Sequence, residues 1–177
     1  MNYISSAHQK ALSVRYRLTA LIVGALGIST ILYILIGYFF APAMPQGEYR
    51  WLSNNSLVIV VSLIVLTAVF LRRYLLSPTK LQIATQRGIG TLLSNLHLAS
   101  ISGAVFGDLI GILGVIASLM TGTREYSWRL GIASVLIIAY SFPRRSEWER
   151  AVARLEQNNE AAVLPKDAVR LGLMDSE

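Results

Sequence analysis

Two side chains in the most apolar part of this sequence could handle protons, Asp108 and His97. Both fall in Leu92 to Met120, LLSNLHLASISGAVFGDLIGILGVIASLM, a stretch long enough to cross a bilayer. An ionised carboxylate in hydrocarbon costs at least about 2.5–3.5 kcal/mol on insertion scales, so Asp108 needs a partner, a proton or a task. It is the only charged residue in the apolar cores of the four spans described below. His97 lies close to three turns before it, which puts the two on roughly one helix face about 16 Å apart. They cannot touch. Ser100 and Ala104 lie between them, leaving room for water or for hydroxyls from a neighbour such as Thr30, Tyr33, Tyr140 or Ser141. Two uses are open to Asp108. It could be hydrogen-bonded to adjacent helices and specify their packing, or it could load and release a proton, making Asp108 with His97 the ion-carrying candidates.

Other chemistry finds little support in the residues. There is no cysteine, hence neither disulfides nor thiolate chemistry. One histidine and one aspartate supply too few ligands, so no metal is expected, and no cofactor. Phosphate loops, zinc signatures and nucleophile elbows do not occur, and a non-enzymatic protein is expected.

The elements that must hold Asp108 follow from composition. Over 177 residues the chain is 54% hydrophobic and 15% charged, and its mean hydropathy is +0.52, which places it in the membrane class. Apolar runs predict an all-α membrane protein with spans at about 18–40, 56–76, 92–120 and 126–142, arranged as an up-and-down bundle. The first run follows a basic segment and precedes Ala41-Pro42-Ala43, but it exceeds the length of a signal-peptide core and is expected to be retained. Ala41 to Asn55 should be a connector. Ser77-Pro78 opens a short surface segment to Arg87, and Gly88 and Gly90 bend the chain before the third span. The expected division is a transmembrane domain over 1–143 and a cytoplasmic region over 144–177. In the latter a capping box at Ser146 and Glu149 starts a helix whose Trp148, Val152 and Leu155 share a face, suited to a membrane surface or a partner. Lys166 to Leu171 has length for one or two more helical turns. Paired motifs, such as Gly24-Ala25 with Gly103-Ala104, hint at a duplicated hairpin.

Charge sets the orientation. Of 16 Lys and Arg, only Arg50, Arg124 and Arg129 fall in or beside the first and third loops, and the rest lie on the side of the termini. Both termini are therefore expected in the cytoplasm, of a bacterial inner membrane. The net charge of +6 then faces anionic lipid, and nucleic acid is not an expected partner.

Gly103, Gly107 and Gly111 recur every four residues, forming a smooth stripe where another helix can approach closely. The run Gly107 to Leu119, GDLIGILGVIASL, resembles the carboxylate helix of the proteolipid ring subunits of rotary ATPases, in which glycines follow the acid at three and six residues. That resemblance implies a proton-carrying role for Asp108 and close packing at Gly111 and Gly114. It covers this helix alone, since the second span, VIVVSLIVLTAVFL, has no glycine and no other span has an acid. With its closing Phe142-Pro143-Arg144 and amphipathic tail, the whole chain resembles uncharacterised four-helix bacterial membrane proteins, which implies no activity. The expected function is that of a subunit or accessory element in a larger membrane complex, homo- or hetero-oligomeric. The alternative is a proton-translocating component built on Asp108.

Overall fold

The computed structural model describes residues 6–43, 54–154 and 156–157. Most of the connector Ala41 to Asn55 and all of the turns expected at Lys166 to Leu171 lie outside the described residues. The described chain is helical throughout, with no strand among the described residues. Helix α1 spans Ser6–Phe40 and ends in a 3-10 turn, Ala41–Ala43; α2 is Asn54–Leu75, α3 Pro78–Gln86, α4 Ile89–Thr121 and α5 Glu125–Ser141. A sixth helix, α6, covers 145–154.

Three of these, at His8–Ala43, Asn55–Leu75 and Ile89–Thr121, are long and apolar enough to cross a membrane, which suggests a membrane-embedded protein. Helix α5 has 17 residues, about 26 Å at 1.5 Å per residue.

The helix ends have local causes. Ser77 caps α3, its Oγ accepting from Lys80 N at 3.4 Å, and Pro78 occupies the first helical position, where its missing N–H is not needed. Between α3 and α4, Gly88 has φ +101°, and after α4 Gly122 is left-handed at φ +67°; both conformations disfavour a Cβ. Phe142 is extended at ψ 130°, as a residue before proline must be, and this ends α5.

Helix α4 is the centre of the fold. Helices α1 and α5 pack on it and on each other, whereas α2 packs chiefly on α4. Although adjacent in sequence, α1 and α2 barely touch, so the duplication hinted at by paired motifs is not repeated in the packing: α4 and α5 lie together along their length.

The molecule has two kinds of interior. Where the first turns of α1 meet α3, the start of α4 and α6, Leu12, Ala84, Leu92, Leu93, Leu96, Trp148 and Val152 form one buried apolar cluster. Tyr16 meets Trp148 edge-on, ring centroids 5.9 Å apart, and His8 Nδ1 lies 2.8 Å from Glu156 Oε1. Farther along the spans, by contrast, the buried apolar cluster among the described residues is small, Val23, Ala104 and Ile138; apart from Ile110 the other buried positions there are mostly alanine, glycine and hydroxyl, with Thr19, Thr30, Ser118, Ser127, Ser134 and Ser141 all buried. This is the distribution lipid selects. Large aliphatic side chains gain little by leaving lipid for protein, so helices in a bilayer associate through small residues and hydrogen bonds, while a cap in water needs a hydrophobic core.

Helix α6 differs from its expectation. Of its apolar face, Trp148 and Val152 are buried in the cluster on α1, α3 and α4, while Leu155 lies outside the described residues. Ser146 does not begin it. The first turn hangs from the Arg144 carbonyl, which accepts from Glu147 N and Trp148 N, and Glu149 pairs with Arg145 Nε at 2.8 Å instead of closing a capping box.

Candidate functional site

Asp108 lies at mid-length of α4, half-buried, with its carboxylate turned to α1. Ser29 Oγ is 2.7 Å from Asp108 Oδ1, and Thr30 Oγ1 is 3.5 Å from the same oxygen. Behind Thr30 stands α5. Thr30 Oγ1 is 3.2 Å from Ser134 Oγ, and Ser134 Oγ donates to the Gly107 carbonyl at 2.6 Å. Three helices thus meet at these hydroxyls beside the acid; since Ser134 spends its hydrogen on Gly107 O, Thr30 can donate to Ser134 or to Asp108 but not to both. Among the described residues, no fully enclosed side-chain nitrogen or oxygen lacks a partner.

The glycine stripe makes this meeting possible. A Cβ on Gly111 would lie 3.2 Å from Ser134 Oγ and 3.4 Å from Thr30 Oγ1, and one on Gly107 would lie 2.6 Å from Ile138 Cγ1 and 3.1 Å from the Ser134 carbonyl oxygen. Gly103 faces Ser141, and Gly114 faces Leu130 and the Tyr126 carbonyl. The three stripe glycines and Gly114 therefore all lie against α5 of the same chain. Small residues also bring α5 close to α1, because Gly131 of α5 is where Ile34 of α1 enters and Gly37 of α1 receives Ser127.

Proton counting at Ser29 limits what the site can do. Ser29 Oγ is also 2.8 Å from the Leu26 carbonyl, and a hydroxyl has one hydrogen. With Asp108 ionised, Ser29 donates to Oδ1. With Asp108 protonated, the acid can donate to Ser29 while Ser29 donates to Leu26 O. Ser29 can therefore serve the carboxyl group in either charge state.

His97 is held separately. Its Nδ1 is 2.7 Å from Thr19 Oγ1, which is itself 2.7 Å from the Arg15 carbonyl. When Thr19 spends its hydrogen on that carbonyl, Nδ1–H is the donor to Thr19 and the tautomer follows. Between the His97 and Asp108 levels, Val23 and Ala104, both 0% exposed, pack with Ile138 and Leu26. Apolar side chains thus stand in the interval between the two ion-carrying candidates.

Of the hydroxyls named from sequence, Thr30 reaches Asp108. Ser141 faces Gly103 instead, and Tyr140 lies under Arg72, whose Cζ is 4.2 Å from the ring centroid and whose guanidinium donates to the Tyr140 carbonyl. Sequence reasoning missed Ser29, Thr19 and Ser134. A signal was present for Thr19 alone, since Thr19, Val23 and Thr30 recur near the helical period on α1, but an apolar helix gives no cue to which face its hydroxyls occupy.

Ser29→Ala should lower stability by about 1–3 kcal/mol, because it removes the 2.7 Å donor and leaves a carboxylate in a partly dry site. Thermal unfolding in mild detergent measures it, and pairing the change with Asp108→Asn should recover part of the loss.

No protein family, curated protein or solved structure matches the chain.

Proposed function

We propose that the chain is a non-enzymatic integral membrane protein of four spans, α1, α2, α4 and α5, with both termini in the cytoplasm of a bacterial inner membrane, acting as a subunit or accessory element of a larger membrane complex. Helix α5 is short for a span at about 26 Å against the roughly 30 Å of a hydrocarbon core. Aromatic residues at both its ends, Tyr126 and Trp128 at one and Tyr140 and Phe142 at the other, suit it to the interfaces.

The observation that carries the subunit reading is the outer face of α2. Ile59, Leu63, Leu66 and Phe70, between 65% and 71% exposed, recur at intervals of four, three and four, the seam along which one helix packs on another. Only 11% of its most apolar stretch is buried within the chain, against 17% for that of α1 and 50% for that of α4. Leu63→Trp with Leu66→Trp keeps the span apolar but changes the shape of the seam. In mild detergent the native chain should migrate as a complex whose partner or second copy mass spectrometry identifies, and the double variant should migrate as a monomer at undiminished yield. A native chain that is monomeric with nothing bound removes this reading.

A specific observation also favours proton translocation with Asp108 as the carrier. Ser29 can serve the carboxylate in either charge state, and Asp108 is only half-buried. Asp108→Asn keeps size and hydrogen bonding but cannot ionise. Proton flux into vesicles carrying the chain should then fall to background if Asp108 is the carrier, and unchanged flux at equal protein level excludes that role.

A further inference from the structure

We propose that the cavity between the ends of α2 and α5 and helix α6 binds the phosphate group of an anionic membrane lipid. It is an open cavity of about 590 Å³, within the range of small-ligand sites. Its lining brings together Arg72, Arg73, Arg144, Arg150 and Arg154 with the single carboxylate of Glu147. Guanidinium groups keep their charge in proteins, so these five cannot relieve one another by losing protons.

Little inside the described chain neutralises them. Its ion pairs join His8 to Glu156, Arg129 to Glu125 and Arg145 to Glu149, and none of these uses a cavity arginine. Arg72 is turned to the ring and carbonyl of Tyr140, which hold it in place without offsetting its charge. Arg144 sits at the start of α6, Arg150 and Arg154 are one turn apart on it, and Arg73 closes the opposite side from α2. Converging, uncompensated positive charge raises the local concentration of anions, and planar guanidinium forks match phosphate oxygens in pairs.

Position and the remaining lining favour a lipid over a free anion. The cavity forms where α2 and α5 end and α4 begins, which in a membrane-embedded chain is the level of the headgroups, on the side where basic residues accumulate. Leu76, Leu81, Leu96 and Ala151 make its other wall. A small hydrated anion gains nothing from that wall, whereas the glycerol backbone and first methylenes of a lipid can cover it. Basic pockets between spans at the cytoplasmic surface are suited to such headgroups.

The proposal requires the membrane placement given above, but neither a partner subunit nor proton movement at Asp108. A native chain that proves monomeric would end the subunit reading and leave this one standing.

The test uses the full chain in mild detergent, with bound lipid counted by native mass spectrometry. Phosphatidylglycerol should be retained about tenfold more strongly than phosphatidylcholine, and Arg150→Gln with Arg154→Gln should remove most of that preference. Arg124→Gln with Arg129→Gln takes the same charge from the opposite end of the bundle and should leave the preference intact. Glu147→Gln removes the one opposing charge and should tighten phosphatidylglycerol binding about threefold, an independent reading should the double arginine variant accumulate poorly. Equal retention of the two lipids, native-like binding by the Arg150/Arg154 variant, or no tightening by Glu147→Gln would each overturn the proposal. Displacement of phosphatidylglycerol by millimolar inorganic phosphate would overturn the lipid as the source of the bound group.

Discussion

Trp148→Ala will destabilise the protein by about 3–5 kcal/mol, the range for truncating a buried large aromatic. Trp148 is 2% exposed, sits among Leu12, Leu92, Leu93 and Leu96, and meets Tyr16 edge-on. These neighbours come from α1 and α4, so the ring fastens the last described helix to the first. The loss falls on the cap before the spans, because lipid still holds an apolar helix in place after its cap has loosened. Two measurements separate local from global loss. Trypsin should cut faster at Arg150 and Arg154, and the apparent Tm in mild detergent should fall while the variant still inserts. A variant whose cleavage rate and Tm match the native protein would show that α6 is not held by this cluster.

The second large effect belongs to the glycine stripe. Gly107→Val should cost about 1–3 kcal/mol or more from overpacking. Even the first added carbon would stand 2.6 Å from Ile138 Cγ1 and 3.1 Å from the Ser134 carbonyl oxygen. The first neighbour can be trimmed and the second cannot, since it belongs to the backbone of α5. Ile138→Ala should therefore restore only part of the loss. The same separation of α4 from α5 stretches the 2.6 Å bond from Ser134 Oγ to Gly107 O and, through Thr30, disturbs the surroundings of Asp108. Gly24→Ala is the control. Nothing lies within 4 Å of a Cβ there, so the change should be neutral or should stabilise by up to about 1 kcal/mol through helix propensity. Thermal unfolding of the three variants side by side decides the point, and equal losses at Gly107 and Gly24 would contradict the packing described.

Lipid makes parts of this fold legible without coordinates. An unbroken apolar run must satisfy its own backbone, so α1, α2 and α4 can be read directly from composition, as can Pro78 and Pro143 as boundaries. The same uniformity hides the packing. In a water-soluble helix, polar residues mark the outside and apolar residues the inside; here both sides of a span are apolar, and the inward face is recognised only by its glycines and hydroxyls. Asp108 could be singled out because a charge in hydrocarbon stands alone, but Ser29 could not, because a serine in a helix can bond to its own backbone and need no tertiary partner.

By itself, then, the sequence determined a helical, membrane-suited chain, the long apolar helices, the isolated acid and the close-approach stripe beside it, because each depends on residue type and helical spacing alone. Tertiary structure decided that the stripe faces α5 of the same chain, that α1 supplies the hydroxyls to Asp108 and to His97 with apolar side chains packed between the two levels, and that α6 folds back to share a core with α1 and α4. It also brought arginines from α2 and α6 around one cavity. The physical reason is common to all of these: spacing says which side chains share a helix face, but which helix that face meets depends on shape and hydrogen bonding between segments as far apart in the chain as Ser29 and Asp108.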